Sequence, residues 1–194
     1  MQLIFATNNE NKVKEIRVAL NDSFEIISLK EAGIDKEIPE PHDTLEANAT
    51  EKSRVIFEMT GKNCFSEDTG LEVEALDGAP GVISARYAGE NASYTDNVEK
   101  LLKEMDGKEN RKARFKTVIS LIINGEEKQF VGICTGNITE KAVGGQGFGY
   151  DHVFIADGAD RTFAKMTIDE KKEFSHRAKA VEKLVLYLNN QRVR

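Results

Sequence analysis

The segments 113–123 and 129–138 carry the clearest β-strand signal of the chain, and they restrict its possible folds more than any other feature. The dipeptide Asn124-Gly125 lies between them and strongly favours a turn. The charged residues on either side of this dipeptide predict a connecting loop longer than two residues. The two segments therefore predict a pair of long strands in the second half of the chain.

The first residues of the chain predict a strand, a helix and a second strand. An apolar segment at 2–6 predicts a strand, and the polar turn after it leads into a helix at about 10–21. The apolar residues on one face of that helix are Val13, Ile16 and Leu20. The second strand is predicted at 24–27.

A second helix is predicted to begin in the segment Asp43-Thr44-Leu45-Glu46, which has the pattern of a capping box with Asp43 as the N-cap. The apolar stripe of this helix consists of Leu45, Ala49, Ile56 and Met59. Lys52 falls on the same stripe, which is an unusual position for a lysine. The helix is therefore expected to place one cation on its inward face.

The predicted elements together define the fold class. The remaining ones are strands near 63–67 and 71–75, a helix near 95–105, a short strand at 153–156 and a long closing helix. The inward residues of the two helices are Val98, Leu101, Leu102, Met105, Val181, Leu184, Val185 and Leu188. We predict an α/β fold with a long mixed or antiparallel sheet, because the hairpin interrupts the alternation that a doubly wound βαβ array requires.

Length and composition predict one globular domain over residues 1–194, which a cleft can divide into two lobes. No apolar run reaches membrane-spanning length, and the first six residues lack a basic leader, so a cytoplasmic protein without a membrane partner is expected. The net charge of −6 argues against a general nucleic-acid binder. Cys64 and Cys134 are the only cysteines and are expected to be small core residues.

The first candidate for chemistry is the turn Thr7-Asn8-Asn9-Glu10-Asn11-Lys12. It joins a strand to a helix, and free backbone N–H groups at a helix N-terminus attract anions. Thr7 and Asn9 can donate further hydrogen bonds, and Lys12 can supply a charge to phosphate. A capped turn with a solvated lysine explains the same residues equally well.

The second candidate is Ser66-Glu67-Asp68-Thr69-Gly70, where two adjacent carboxylates follow an apolar strand. Successive side chains of a strand point to opposite faces, so one carboxylate can face a cleft while the other is held by structural contacts. Such a group can bind Mg²⁺ or take a proton from water. Glu40, in a stiff loop, is a possible second metal ligand, although acidic residues at turns are often only solvated.

The third candidate is the loop Gly144-Gly145-Gln146-Gly147-Phe148-Gly149-Tyr150-Asp151. Its glycines permit close approach of the backbone to a ligand, and its two aromatic side chains offer a stacking face for a base. It is not a Rossmann fingerprint, since it precedes a strand. The alternative is a mobile loop with one aromatic residue packed inward.

The fourth candidate combines Lys171 with Ser175-His176-Arg177. The segment Thr167-Ile168-Asp169-Glu170 is a capping box, which places Lys171 in a helical turn. Ser175 can cap the final helix, so that His176 and Arg177 lie in its first turn. Cations at that position oppose the helix macrodipole, and a ligand with acceptor groups would explain them.

In combination, these segments resemble the inosine triphosphate pyrophosphatase family, whose members remove non-standard purine nucleoside triphosphates. The resemblance runs nearly end to end. It rests on the four candidates above and on three further blocks: Thr44-Leu45-Glu46-Ala47-Asn48-Ala49, Gly78-Ala79-Pro80-Gly81-Val82 and Ser84-Ala85-Arg86-Tyr87-Ala88-Gly89. It implies a long curved mixed sheet with flanking helices, two lobes around a central cleft, and a homodimer.

The resemblance also implies roles for single residues. Asp68 matches the catalytic base and a metal-linked acid, and Glu40 matches a second acidic position, so both are expected to bind Mg²⁺. The residues expected to bind the substrate are Thr7, Asn8, Asn9, Glu10, Asn11, Lys12, Thr69, Phe148, Gly149, Tyr150, Asp151, Lys171, His176 and Arg177. Asn8 stands where many family members have glycine, which predicts a left-handed backbone conformation that asparagine tolerates.

The reaction implied by this resemblance is hydrolysis of ITP, dITP or XTP to the monophosphate and pyrophosphate. Asp68 would orient or deprotonate the water that attacks the α-phosphorus, while Lys12, and Lys52 if it lies inward, offset charge on the leaving group. His176, Arg177 or backbone N–H groups would donate to O6 of the base. The alternatives are a pyrophosphatase for other modified nucleotides and a nucleotide-binding sensor without turnover.

Overall fold

A computed structural model describes residues 1–20 and 24–192, with the side chains of the last two left out. The helices and strands are β1 (Gln2–Phe5), α1 (Glu10–Leu20), β2 (Glu25–Ser28), α2 (Leu45–Thr60), β3 (Cys64–Val73), β4 (Pro80–Gly81), α3 (Tyr94–Glu104), β5 (Lys112–Ile123), β6 (Glu126–Ile138), β7 (Phe154–Ala156), α4 (Ile168–Lys172) and α5 (His176–Arg192). Residue 21, at the predicted end of the first helix, lies outside the described residues. No helix in the described ranges is long and apolar enough to cross a membrane.

The strands of the described residues form one mixed sheet in the order β2-β1-β3-β5-β6-β7, and β4 pairs with β3. Strand β1 runs parallel to β2 and β3, with Leu3 opposite Ile26 and Phe5 opposite Phe65. The pairs β3–β4 and β6–β7 are antiparallel. The predicted α/β class with a mixed sheet and flanking helices is therefore confirmed.

The chain divides into two compact units. Unit 1 contains Met1–Asp68, Thr117–Gly132 and Arg177–Arg194, as far as the structure describes them. Unit 2 contains Thr69–Lys116 and Ile133–His176. Each unit has a buried apolar cluster of its own, because each brings one face of its strands against helices whose apolar residues recur at helical spacing.

In unit 1, the apolar stripe of α1 packs against the strands and α5. Val13, Ile16 and Leu20 are buried as predicted, and they share one cluster with Leu184 and Leu188 of α5. The rings of Phe5 and Phe65, from paired strands, stack with their centroids 4.5 Å apart. This packing holds β1, and with it the turn at residues 7–12.

The hairpin prediction is confirmed, but the expected length of its loop is wrong. Strand β5 ends at Ile123 and β6 begins at Glu126, so Asn124-Gly125 is the whole connection. Both residues have positive φ, 52° and 85°, which is the conformation of a two-residue turn that matches strand twist. Asparagine and glycine tolerate this conformation, and the flanking charges remain within the strands.

Three further predictions of local structure are wrong. The N-cap of α2 is Thr44, whose hydroxyl accepts from the Ala47 N–H, and not Asp43. Met59 is 51% exposed, although Leu45, Ala49 and Ile56 of the same stripe are buried. One strand, β3, replaces the two strands predicted on either side of Gly70. A Cβ at Gly70 would lie 2.5 Å from the Gly81 carbonyl oxygen, so this glycine permits close pairing and does not end the strand.

In unit 2, α3 covers the apolar face of the strands. Ser93 and Asp96 form a capping box at its start. Val98, Leu101 and Met105 are buried as predicted, and Leu102 is partly buried. Both cysteines are buried, Cys64 in unit 1 and Cys134 in unit 2, which confirms their expected place in the core.

Candidate active site

Strand β3 brings Glu67 and Asp68 into unit 1 as two buried carboxylates with different partners. Glu67 is 1% and Asp68 5% exposed. Because neighbouring side chains of a strand point to opposite faces, the two can meet different cations. Glu67 pairs with Lys12 and Arg177, and Asp68 pairs with Lys52. As expected for neighbouring residues of a strand, the two carboxylates have different partners. Both of them are buried.

The inward lysine of α2 joins Asp68 to Glu40. Lys52 Nζ lies 3.0 Å from Asp68 Oδ1 and also contacts Glu40 Oε1. Burial disfavours the charge on Lys52, but the attraction of Asp68 and Glu40 outweighs it, so the pKa of Lys52 is raised. The predicted inward position of Lys52 is confirmed, and the lysine stays protonated between two carboxylates.

Asp68 combines burial with an oxygen that is not engaged. Burial raises the pKa of Asp68 above its usual range, against the attraction of Lys52 and Lys12. Its Oδ2 atom is buried and has no hydrogen-bond partner among the described residues. A buried carboxylate oxygen without a partner is costly unless a ligand completes its contacts. Asp68 is therefore the residue of unit 1 best placed to meet a water or a cation.

Glu67 is the centre of a separate, closed ion-pair group. Arg177 donates through Nε to Glu67 Oε2 at 2.6 Å and through Nη2 to Oε1 at 3.0 Å, and its Nη1 contacts Glu15. Lys12 Nζ lies 2.9 Å from Glu67 Oε1. Burial alone would raise the pKa of Glu67, but the cations Arg177 and Lys12 hold it well below its usual range. Arg177 lies in the first turn of α5 as predicted, and its guanidinium is engaged with carboxylates.

The turn at residues 7–12 is capped by its own side chains. Asn9 Oδ1 accepts from the N–H groups of Asn11 at 3.0 Å and Lys12 at 3.3 Å. The Thr7 hydroxyl accepts from the Asn9 N–H at 3.2 Å. The expectation of free N–H groups is wrong for Asn11 and Lys12, and the alternative of a solvated lysine is also wrong, because Lys12 is bound to Glu67. Glu10 begins α1 and is exposed.

Asn8 does not have the left-handed conformation predicted for it. Among the described residues other than glycine, only Asp77 and Asn124 have positive φ. The side chain of Asn8 donates instead to the carbonyl oxygen of Lys36 at 3.0 Å. The asparagine at this position thus provides a hydrogen bond that glycine lacks.

In unit 2, the glycine-aromatic loop is built around Asp151. Asp151 Oδ2 accepts from the Phe148 N–H at 3.0 Å and from Lys171 Nζ at 2.7 Å. Lys171 Nζ lies 5.2 Å from the centroid of the Phe148 ring. Gly147 has φ of 77°, and a Cβ there would lie 2.2 Å from Asp151 Oδ2, so only glycine fits. The structure therefore brings Lys171 of the fourth candidate to the loop of the third.

Four other residues that were predicted to bind the substrate lie in unit 2. Tyr150 is buried and donates to the Ser84 carbonyl oxygen at 2.8 Å, and burial raises the pKa of its phenol. His176 is buried and stacks on Phe115 with ring centroids 4.6 Å apart. Thr69 is half-buried in β3, and Gly149, with φ of 58°, begins a short 3-10 helix.

Glu40 and Asp68 are the two residues predicted to bind Mg²⁺. No group of three or more His, Cys, Asp or Glu side chains in the described ranges could hold a metal ion. The two expected ligands, Glu40 and Asp68, share Lys52 and so lie at one place in unit 1. Both offer carboxylate oxygens, the donor type that Mg²⁺ prefers.

Sequence reasoning gave no role to Asn48 or Tyr94. Asn48 is fully buried and binds the backbone of His42 through both atoms of its amide. Its position four residues before Lys52, on the inward stripe of α2, was the available signal. Tyr94 is exposed and lies beside Phe148, with ring centroids 6.0 Å apart. Nothing in the sequence pattern indicated that contact, since the two residues lie on separate elements.

Comparison with known proteins places this arrangement in a family. A sequence model described as the Ham1 family matches residues 3–187. A dITP/XTP pyrophosphatase of Flavobacterium psychrophilum is 49% identical over 98% of this chain and 100% of its own. One from Porphyromonas gingivalis is 48% identical over 94% and 95% of the two chains. The solved Ham1 protein of Staphylococcus aureus superposes with a TM-score of 0.88 at 36% identity, over 98% of this chain and 100% of its own. With matches of this extent in both sequence and fold, the chain belongs to the Ham1 family.

Proposed function

We propose that this protein hydrolyses non-standard purine nucleoside triphosphates, with dITP, XTP and ITP as substrates, to the nucleoside monophosphate and pyrophosphate. The relatives named as dITP/XTP pyrophosphatases match nearly the whole chain. The observation that carries the proposal is the group of Asp68, Lys52 and Glu40 in unit 1, in which Asp68 and Lys52 are buried. A carboxylate next to a buried ammonium group is suited to directing the attack of water on a phosphate.

Asp68 is proposed as the base. Its raised pKa and the oxygen Oδ2, without a partner among the described residues, support a role in orienting water and accepting its proton. In the proposed reaction the water oxygen bonds to the α-phosphorus, and the bond from that phosphorus to the bridging oxygen of pyrophosphate breaks. The lost proton passes to the Asp68 carboxylate, and pyrophosphate leaves with the electron pair of the broken bond.

Glu40 and Asp68 are the residues proposed to hold Mg²⁺. Their carboxylate oxygens fit this hard cation, and the orphaned Oδ2 of Asp68 offers it a ligand. When bound, Mg²⁺ would supply positive charge to phosphate oxygens and so assist the attack of water on the phosphorus. The buried cation Lys52 lies beside both carboxylates.

Lys12 and Lys52 are proposed to offset charge that develops on pyrophosphate. Each lies against a buried carboxylate, at 2.9 Å from Glu67 and 3.0 Å from Asp68. A cation that is held in place before reaction stabilises a developing anion without reorganisation. Thr7 and Asn9 are proposed to assist by fixing the turn that carries Lys12.

The base is proposed to contact the loop that contains Phe148. The ring of Phe148 offers a stacking surface, and the ion pair of Asp151 and Lys171 fixes the loop beside it. Discrimination is proposed to rest on donors to O6 of hypoxanthine or xanthine, supplied by His176 or by backbone N–H groups. Adenine presents an amino group at this position, which leaves such donors unpaired. Because Arg177 is engaged with Glu67 and Glu15, it acts in this proposal by orienting its neighbours.

We also propose that the protein acts as a homodimer in the cytoplasm, where the nucleotide pool lies. Size-exclusion chromatography with light scattering tests the first part. A mass of twice the monomer at micromolar concentration is expected, and a monomer under these conditions would contradict the dimer.

The function is tested by measuring pyrophosphate release from ITP, XTP, dITP, ATP and GTP with Mg²⁺. We expect pyrophosphate from the first three, little from ATP and GTP, and a loss of at least about 100-fold in Asp68→Asn. Orthophosphate as the product would contradict the proposed bond cleavage. Turnover of other modified nucleotides alone would shift the substrate class, and binding without turnover would identify a sensor.

A further inference from the structure

The segment that carries Glu40 has no helix or strand of its own. Residues 34–41 lack regular structure, and they connect the turn after β2 to the start of α2. The Glu40 side chain is 30% exposed, and it contacts Lys52 of α2. An irregular segment of this length loses substantial conformational entropy when it is held in one arrangement. Something must therefore hold the backbone on either side of Glu40.

On the C-terminal side, the amide of Asn48 binds one residue twice. Asn48 Oδ1 accepts from the His42 N–H at 2.9 Å, and Asn48 Nδ2 donates to the His42 carbonyl oxygen at 3.0 Å. Asn48 is fully buried, and its two bonds to His42 are partly buried. It lies one helical turn before Lys52 on α2, so one face of this helix holds both the segment and the lysine that meets Glu40.

On the N-terminal side, a second asparagine binds the same segment. Asn8 Nδ2 donates to the Lys36 carbonyl oxygen at 3.0 Å. This bond is exposed, so it is weaker than the partly buried pair made by Asn48. The two asparagines thus bind backbone atoms on both sides of Glu40.

We propose that Asn48 and Asn8 are positioning residues that clamp residues 34–43 and so keep Glu40 beside Lys52 and Asp68. Asn48 is the stronger of the two, because it is buried and makes two bonds. The clamp acts through hydrogen bonds to the backbone. Its effect on Mg²⁺ dependence rests on the proposed function, whereas its effect on the segment does not.

The chain offers a matched control for Asn48. Asn97 is 2% exposed, accepts from the Ala88 N–H at 2.7 Å and donates to the Ala85 carbonyl oxygen at 3.0 Å. Its amide thus binds backbone in the same way as that of Asn48, but in unit 2. Asn97→Ala removes a buried clamp of equal type without altering residues 34–43.

The first experiment is amide hydrogen exchange of the full-length protein without metal or nucleotide. Asn48→Ala is expected to speed exchange at residues 34–43 by about tenfold or more, because the His42 N–H loses its acceptor. Asn8→Gly is expected to produce a smaller increase, near residue 36. Asn97→Ala is expected to leave exchange at 34–43 as in the native chain. Equal exchange at 34–43 in Asn48→Ala and the native chain would overturn the clamp.

The second experiment measures pyrophosphate release against Mg²⁺ concentration at saturating substrate. In Asn48→Ala and Asn48→Asp, the half-saturating Mg²⁺ concentration should rise by about five- to tenfold, with a smaller change in the limiting rate. Asn48→Asp retains a side chain of the same shape, so it keeps the test valid if Asn48→Ala fails to fold. An equal rise in Asn97→Ala would show a general loss of stability and overturn the positioning role. If the native chain has no turnover, the proposed function fails, while the exchange experiment still decides the clamp.

Discussion

At the scale of single residues, Lys52 determines the electrostatics of the proposed catalytic group. Two carboxylates contact its ammonium group, and their attraction overcomes its burial. Removal of this cation leaves Asp68 and Glu40 facing each other, with the attraction of Lys12 still acting on Asp68. Asp68 would then tend to bind a proton, because burial already raises its pKa.

We therefore expect Lys52→Met to lower kcat/KM for dITP by at least about 100-fold, the effect typical of a lost preorganised charge. Steady-state kinetics with Mg²⁺ check this. Lys52→Arg, which keeps the charge, should retain more activity than Lys52→Met. Activity within about threefold of the native enzyme in Lys52→Met would exclude Lys52 from the reaction.

Glu67 presents the opposite case, a carboxylate whose role is in stability. Its two oxygens are bound by Arg177, which is itself 2% exposed. A buried ion pair loses much more stability when one partner is removed than an exposed pair does, because an uncompensated charge remains. Glu15 still contacts Arg177, so the compensation is not lost completely.

Glu67→Gln is expected to lower the free energy of unfolding by about 3 kcal/mol. Urea denaturation followed by circular dichroism measures the change. The control is Glu72→Gln, which breaks the more exposed pair with Arg114 and should cost no more than about 1 kcal/mol. Similar losses in the two variants would show that the buried group contributes little.

At the scale of elements, the loop before β7 depends on a close approach that only glycine allows. Gly147 and Asp151 are so close that a Cβ would overlap the carboxylate that binds Phe148 and Lys171. Gly145→Ala provides a contrast in the same loop, since a Cβ there meets no atom within 4 Å.

Gly147→Ala is expected to raise KM for dITP by about tenfold or more, with a smaller change in kcat, because Asp151 must move and Phe148 loses its support. Gly145→Ala should raise KM far less. Michaelis kinetics on both variants separate the two effects. A reduced kcat with native KM in Gly147→Ala would place the loop in the chemical step.

Several of the remaining elements could be predicted from the local sequence, and others could not. The hairpin, the capping box of α4 and the inward stripes of α1 and α3 follow from periodicity and turn residues. Two strands were predicted where β3 is continuous, because the close approach of Gly70 to Gly81 depends on a partner strand. The N-cap of α2 was predicted one residue too early, because neighbouring Asp43 and Thr44 are both good caps.

At the scale of the whole molecule, each compact unit has its own buried cluster and one buried cysteine. Burial raises the pKa of Cys64 to about 12, so little thiolate forms at pH 8 in the folded protein. Cys134 is 2% exposed. The two thiols therefore report separately on the opening of unit 1 and unit 2.

With a thiol-specific reagent at pH 8, the native protein is expected to react at least about 100-fold more slowly than the urea-unfolded protein. Mass spectrometry at intermediate urea concentrations should show both cysteines becoming labelled together if the chain unfolds as one cooperative system. Labelling of Cys64 or Cys134 alone would reveal separate unfolding of its unit. Rapid labelling without urea would contradict their burial.

The sequence by itself determined the elements, the α/β class and the family, because periodicity, turn dipeptides and ordered motifs are local properties of the chain. It also singled out Asp68, Glu40 and Lys52. Only the tertiary structure decided how the charges pair. Glu67 and Arg177 lie 110 residues apart, so no local pattern could show that Arg177 is engaged by Glu67 and that Asp68 retains an oxygen without a partner among the described residues. Pairing of buried charges follows from packing, since desolvation makes each charge seek the partner that the fold brings within reach.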